Sequence, residues 1–267
     1  MSRIPARVAH RLTSALKRFQ PILASARARD VNESDTVILV TDLLAELFGY
    51  DKYTEITSEC AIRGTWCDLG IKQDGKFLLL IEVKAIGSEL KEPQTKQAVD
   101  YAANQGVDWV VLTNAETWRV YRLTFGKPVT SELVLEFNIS QLQPRREADL
   151  EILYHLTREG WAKSAIDDFH MQRQALNRYV IAATIQSPPV LDALRRELRR
   201  LSPDVRVSKD EIQAVLLNEV LKREVVEGDK AVEAARKLQR AATRALRART
   251  SRQETAEVAS AEPVAAE

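Results

Sequence analysis

The chain has 267 residues, 45% hydrophobic and 29% charged, long enough to bury one good core and a second helical module and too apolar to be disordered overall. Two cysteines exclude a disulfide framework, and His10, His155 and His170 are scattered without Cys-x-x-Cys or His-x-x-x-His partners, which argues against zinc. No apolar run approaches the length of a membrane span and no signal-peptide core is present, so a cytoplasmic protein is expected.

The net charge of +1 hides a segregation along the chain. Residues 1–30 hold seven basic side chains against Asp30 alone, a composition that also describes a mitochondrial transit peptide. Ile4, Val8, Leu12, Leu16, Phe19 and Leu23 recur at helical spacing, which predicts an amphipathic helix interrupted or restarted near Pro21, its basic face toward DNA or solvent. Residues 32–49 read as a second helix, capped by Asn32 or Ser34, buried through Val37, Leu39, Val40, Leu43, Leu44 and Leu47, and stopped at Gly49. Glu33 lies at its start, where it complements the helix dipole. Residues 53–62 alternate as a strand and lead through an Arg63-Gly64 turn that would set Cys60 opposite Cys67 as a reduced pair.

The next stretch carries the chemistry. Two β-forming runs, 65–72 and 76–85, flank Asp74-Gly75 and predict a hairpin. Residues 77–81 are continuously apolar, as expected of a strand covered on both faces, and then Glu82 and Lys84 interrupt it on one face. Two charges buried at a strand end are costly unless they are paired or bind an ion. With Asp68 on the other arm, Glu82-Val83-Lys84 is the arrangement a metal-dependent nuclease needs. Hard cations such as Mg2+ or Mn2+ take oxygen ligands, so two carboxylates with the Val83 carbonyl can hold one, which polarises a phosphodiester and acidifies a bound water. Lys84 can orient or deprotonate that water and offset charge on the phosphate. An ordinary Glu-Lys pair at a strand end accounts for the same residues without an ion. Register matters here, because a strict two-residue loop would set Asp68 opposite Ile81, on the other face from Glu82. A shared site requires one extra residue, and the expectation is a G1 bulge at the turn with Gly75 left-handed.

A helix follows, with Pro93 in its first turn and Gly106 at its end. Gln97 and Tyr101 share a face of it and either reach the metal face or a DNA phosphate, or form a partly buried Tyr with a Gln partner. Strands are expected over 108–113, 116–123 and 131–139, with Trp109, Trp118 and Tyr121 in the core, and the domain should close near Pro144.

Asp68 followed by Glu82-Val83-Lys84 resembles the PD-(D/E)xK nuclease superfamily, and Gln97 with Tyr101 matches the Gln-x-x-x-Tyr signature of one of its branches. The run Gly-Val-Asp-Trp-Val-Val-Leu-Thr-Asn at 106–114, with Trp118 and Tyr121, resembles the N-terminal nuclease domain of type I restriction enzyme R subunits, over roughly residues 30–137. The resemblance implies an α/β (α+β) restriction-endonuclease-like domain, a central mixed sheet flanked by helices, with an all-α C-terminal region after it. It also implies Mg2+- or Mn2+-dependent cleavage of DNA, catalytic roles for Asp68, Glu82, Lys84, Gln97 and Tyr101, and a place for Glu33 beside the metal with Asp68 and Glu82. Type I enzymes act through partner subunits, so specificity, modification or motor functions of a restriction or DNA-defence complex are expected on other chains. No Gly-x-x-x-x-Gly-Lys-Ser/Thr follows, so the ATP-driven motor is missing. The alternative is a catalytically weak or inactive DNA-binding or assembly protein that uses the nuclease-like fold as a scaffold.

From residue 147 onward helices are expected over 147–158, 162–186, 189–201, 209–226 and 229–248, separated by Gly160, Ser187-Pro188, Ser202-Pro203 and Gly228. Ser208-Lys-Asp-Glu211 is a capping box, and Arg195, Arg196, Arg199 and Arg200 form the solvated face of their helix. Residues 228–252 hold eight basic side chains against Asp229 and Glu233. Arg236, Arg240, Arg244 and Arg247 fall in one stripe opposite Ala235, Leu238, Ala242 and Ala245, either a solvated face or a set of DNA-phosphate contacts. The expected organisation is a basic helical segment (1–30), the nuclease-like domain (31–144), the helical region (145–249) and a disordered tail (250–267).

Overall fold

A computed structural model describes residues 4–62 and 65–260. The chain divides into two compact units between His170 and Met171. In the first, helix α1 (Ala6–Ala28) and helix α2 (Glu33–Asp42) precede strands β1 (Ile56–Ile62), β2 (Thr65–Gln73) and β3 (Lys76–Val83). Helix α3 (Glu92–Gln105) then crosses over to β4 (Trp109–Thr113), β5 (Thr117–Thr124) and β6 (Thr130–Asn138). The strands form one six-stranded sheet in chain order, antiparallel except at the β3/β4 pair, which α3 makes parallel. The fold class is therefore mixed α/β with a helical C-terminal region.

The parallel pair explains the unbroken apolar runs in the sequence. Leu79, Ile81 and Val83 face α1 and α2 together with Trp109 and Val111, whereas Leu80, Val110 and Leu112 face Ala98, Val99 and Ala102 of α3. Both faces are covered, so both strands are buried where they pair. Gly106 ends α3 in the left-handed conformation, as its position after the helix predicts.

The expected break at Pro21 does not occur, and α1 runs through it. One lost hydrogen bond and ring clash cost about 3 kcal/mol in a helix interior. Against this stand Leu12, Leu16, Phe19 and Leu23, each buried to 2% exposure or less, and each such burial stabilises by about 1.5–3 kcal/mol. Tertiary packing wins. The same core takes in Leu150, Leu153 and Tyr154 of α4 (Glu147–Tyr154), then Leu156, and Ala165 and Ile166 at the start of α6 (Ala165–Ala175), with the short α5 (Arg158–Ala162) between. Residues 4–30 and 145–170 thus belong to the sheet unit, which runs past the boundary expected at 144 to His170.

Asn32 caps α2, its Oδ1 accepting from the Asp35 N–H at 2.9 Å. The helix loosens into a π turn at Leu43–Leu47 and ends at Gly49, whose φ is 84°. Arg11 closes that end: Nε donates to Leu47 O and Nη2 to Phe48 O, each at 3.2 Å. Its two terminal nitrogens also donate to Glu159 of α5 at 2.7 Å each, and this pairing holds the Glu159 carboxyl below its ordinary range. Arg11→Ala should therefore destabilise the first unit by about 3 kcal/mol, because it strands two carbonyls and a half-buried carboxylate. Urea denaturation followed by tryptophan fluorescence measures this, and a loss below about 0.5 kcal/mol would reduce the pair to a surface contact.

The second unit is helical: α7 (Arg178–Ile185), α8 (Pro188–Leu201), α9 (Lys209–Val215), α10 (Arg223–Val226) and α11 (Asp229–Ser260), with α11 alongside α7. The helix expected over 162–186 is broken twice, at Ser164 with φ 53° and at Asn177, whose Oδ1 accepts from the Tyr179 N–H. The helix expected over 209–226 is broken by a π turn at Leu216–Val220 and an extended Leu221. The Ser208 capping box forms as expected. Residues 250–260 continue α11 instead of forming a disordered tail, and 261–267 lie outside the described residues, as does the 63–64 turn. Strand register pairs Cys60 with Cys67. Among the described residues no helix is long and apolar enough to cross a membrane.

Candidate active site

The hairpin decides whether the two carboxylates can meet. Asp74 and Gly75 both take left-handed φ, 51° and 77°, so the turn is a strict two-residue one pairing Gln73 with Lys76 and Lys72 with Phe77. Register then shifts, and Ile71 pairs with Leu79, leaving Leu78 as the extra residue on β3. Gly70 pairs with Leu80 and Leu69 with Ile81, where the pairing ends; carried one step further, this register would set Asp68 opposite Glu82 on the same face. The extra residue is present, but not in the turn where it was expected. Both halves of the bulge find a core: Phe77 packs on the α3 side, and Leu78 joins Leu79 on the α1–α2 side. The Lys72 ammonium sits 4.4 Å from the Phe77 ring centre at this point.

Asp68 is fixed by the strand beside it. Its Oδ2 accepts from the Val83 N–H at 2.7 Å, so Val83 contributes its amide to the site. Glu82 is 2% exposed. Its Oε1 accepts from Lys84 Nζ at 2.8 Å, and its Oε2 is buried without a hydrogen-bond partner among the described residues. Lys84 is itself mostly covered, and its main-chain N–H donates to Thr113 O at 2.8 Å, extending the β3/β4 ladder past the strand end.

Electrostatics follow from that burial. Desolvation pushes the Asp68 carboxyl above its ordinary range despite the Val83 amide and the Lys84 charge, and Glu33 adds to the rise. Desolvation likewise raises Glu82, helped by Asp68 and Glu33 and opposed by Lys84. For Lys84 burial alone would lower the pKa, but the hydrogen bond to Glu82 and the charges of Glu82, Glu33 and Asp68 outweigh it and raise it. Lys84 is therefore held as a cation between carboxylates that resist ionising together.

The remaining expected residues divide. Glu33, half-exposed in the first turn of α2, brings Oε1 to 3.5 Å from Lys84 Nζ, so its partner is the lysine and not the carboxylate pair. Gln97 Nε2 donates to the Tyr101 hydroxyl at 2.8 Å, and neither hydrogen-bonds Asp68, Glu82 or Lys84. Arg236, Arg240, Arg244 and Arg247 lie exposed on α11 in the second unit.

Two residues without an expected role hold the loop after Lys84. Thr36, fully buried, accepts from the Ile86 N–H at 3.1 Å through Oγ1 and donates to Asn32 O. Asn114 donates to Ile86 O at 3.3 Å and Ser88 O at 2.9 Å while its Oδ1 accepts from the Thr117 N–H. Asn114 is visible in the sequence as a polar residue ending an apolar strand, whereas nothing marks Thr36 apart from other threonines in helices.

Among the described residues no three His, Cys, Asp or Glu side chains form a group that could hold a metal ion by themselves. Asp68 and Glu82 offer two carboxylates with a lone buried oxygen between charge partners, a donor set suited to a hard divalent cation completed by water or phosphate oxygens. No protein-family model, characterised protein or solved structure matches the chain.

Proposed function

We propose that the chain is a Mg2+- or Mn2+-dependent DNA endonuclease on a restriction-endonuclease-like domain, with Asp68 and Glu82 as metal ligands and Lys84 as the catalytic cation. The observation that carries this reading is Glu82 Oε2, buried with no hydrogen-bond partner among the described residues, beside the Glu82–Lys84 pair and Asp68. A purely structural Glu-Lys pair would be expected to satisfy both oxygens, because one unsatisfied buried acceptor costs about 1–3 kcal/mol and more when charged. An acceptor kept bare beside a second carboxylate is what an ion site requires.

When bound, the ion would polarise a phosphodiester and acidify a bound water. The chain's own residues do the rest. The Val83 amide holds Asp68 in one orientation, and the β-bulge at Leu78 keeps it on the Glu82 face. Lys84, hydrogen-bonded to Glu82, orients or deprotonates the water and offsets charge on the phosphate. Glu33 steadies Lys84 from the solvent side.

The test is relaxation of supercoiled plasmid in Mg2+ or Mn2+ and its arrest by EDTA. Glu82→Ala should lower the rate by about 100- to 1,000-fold or more and weaken divalent binding. Cleavage by Glu82→Ala at the wild-type rate would remove the assignment. The hydrogen bond of Gln97 to Tyr101 favours a second reading, a catalytically idle DNA-binding scaffold. Duplex binding with no cleavage in any divalent ion would select it.

A further inference from the structure

We propose that the middle of α11 is a nucleic-acid backbone site, in which Arg236, Arg240, Arg244 and Arg247 contact phosphates of a duplex. The site requires duplex binding but no cleavage, so it stands apart from the candidate active site.

The four guanidinium groups are spaced by four, four and three residues, which places them within one narrow stripe of the helix. All four are exposed. The opposite side is where the helix meets its own unit: Ala234 is buried, Ala231 and Leu238 are half-buried, and α7 lies alongside. Packing therefore points the stripe outward.

Three ordinary explanations for surface arginines fail. Ion pairing within the helix is the first, and α8 shows how it looks: Arg195 meets Asp192 at 3.1 Å and Arg200 meets Glu197 at 3.2 Å. Among the described residues none of the four α11 arginines has such a partner. Complementing the helix dipole is the second, but that effect fades within the terminal turn, and 236–247 lie well inside Asp229–Ser260. Covering apolar surface with the side-chain stems is the third, and the stripe faces solvent. Like charges at i and i+4 repel, so the stripe opposes its own helix unless a polyanion lies along it.

Its geometry fits a duplex backbone. From Arg236 to Arg247 the helix rises about 16 Å. A duplex advances by that much in about five base-pair steps. An anionic membrane is the other polyanion available, but a helix lying on lipid needs a bulky apolar face to insert. Here the face opposite the arginines is mostly alanine, with Leu238 its one large side chain, and it lies along α7.

The experiment is a salt titration of binding to a short DNA duplex, followed by fluorescence anisotropy on the full chain in EDTA. The quadruple variant Arg236→Gln, Arg240→Gln, Arg244→Gln, Arg247→Gln should flatten the log-log salt slope by three to four, at about 0.9 per phosphate contact. Between about 50 and 200 mM salt the wild type should then lose about 100-fold more affinity than the variant. The matching quadruple Arg→Lys variant, which keeps the charges, should retain the slope. An unchanged slope in the Gln variant overturns the proposal, as does loss of slope in both variants or binding of the wild type to phosphatidylserine vesicles but not to duplex. A flattened slope in a chain that never cleaves supports the α11 site and removes the nuclease reading. Cleavage with an unchanged slope does the reverse.

Discussion

Asp68→Asn should abolish divalent-dependent cleavage and at the same time raise the melting temperature of the metal-free protein near pH 7. The two effects have one cause. Asn keeps an oxygen able to accept from the Val83 N–H, so the 2.7 Å bond that orients the side chain survives. What disappears is a negative charge whose burial, with Glu33 nearby, raises the native pKa above the unfolded value. A carboxyl raised on folding binds more protons in the native state, so stability falls as pH climbs through the unfolded and then the native pKa. Above that window the Asp68 charge opposes folding, and Asn removes the opposition. Below the window the two proteins should melt alike. Divalent ion should reverse the ranking at neutral pH: a site saturated at a hundred times its Kd gains about 2.7 kcal/mol, which the variant forfeits. Differential scanning calorimetry in EDTA and in Mn2+ reads both terms. A variant that melts below the wild type in EDTA at pH 7 would show that the Asp68 charge is not strained, and an equal Mn2+ gain in both proteins would move the ion elsewhere.

Much of this geometry is legible in the residues, and where it is not the reasons are local. Asp74-Gly75 announces its turn because both positions demand positive φ, and Gly106 announces the end of α3 for the same reason. The continuous apolar run before Glu82 announces a strand covered on both faces, which the parallel β3/β4 pair supplies. The position of the bulge is a different matter. Residues 77–81 are all apolar, so pattern alone cannot say which of them is the extra one, and only the presence of a core on each face makes Leu78 acceptable there. Pro21 misleads because local chemistry says stop while four large buried side chains across it say continue. Ser164 and Asn177 mislead the other way, single polar residues that end helices through φ or a capping bond inside a helical composition. At the site, Asp68, Glu82 and Lys84 stand out as charges in apolar runs. The Val83 amide and Thr36 do not, since a backbone donor has no residue type and one buried threonine resembles any other.

Lys84→Met tests the other half of the site, and its effect on stability should have the opposite sign. Lys84 is the hydrogen-bonded partner of Glu82, with its side chain 14% exposed against 3% for Glu82. Methionine fills similar space without charge, so Glu82 is left buried with both oxygens unpaired. Removing one member of a buried pair destabilises by about 3–5 kcal/mol, and Glu82 is too thoroughly covered for solvent to relieve the loss. The metal-free variant should therefore unfold at markedly lower urea than the wild type at pH 7. Lowering pH through the carboxylate range should close the gap, because protonation neutralises the stranded Glu82 while costing the wild type its ion pair. Divalent ion should stabilise the variant by more than it stabilises the wild type, since it becomes the only cation available to Glu82. Cleavage should nevertheless fall by about 100- to 1,000-fold, because the ion replaces the lysine as a charge partner but not as the group that orients water and offsets charge on the phosphate. Wild-type stability of Lys84→Met in EDTA would mean that Glu82 is already neutral and no ion site exists in the resting protein. Wild-type cleavage would remove Lys84 from the chemistry.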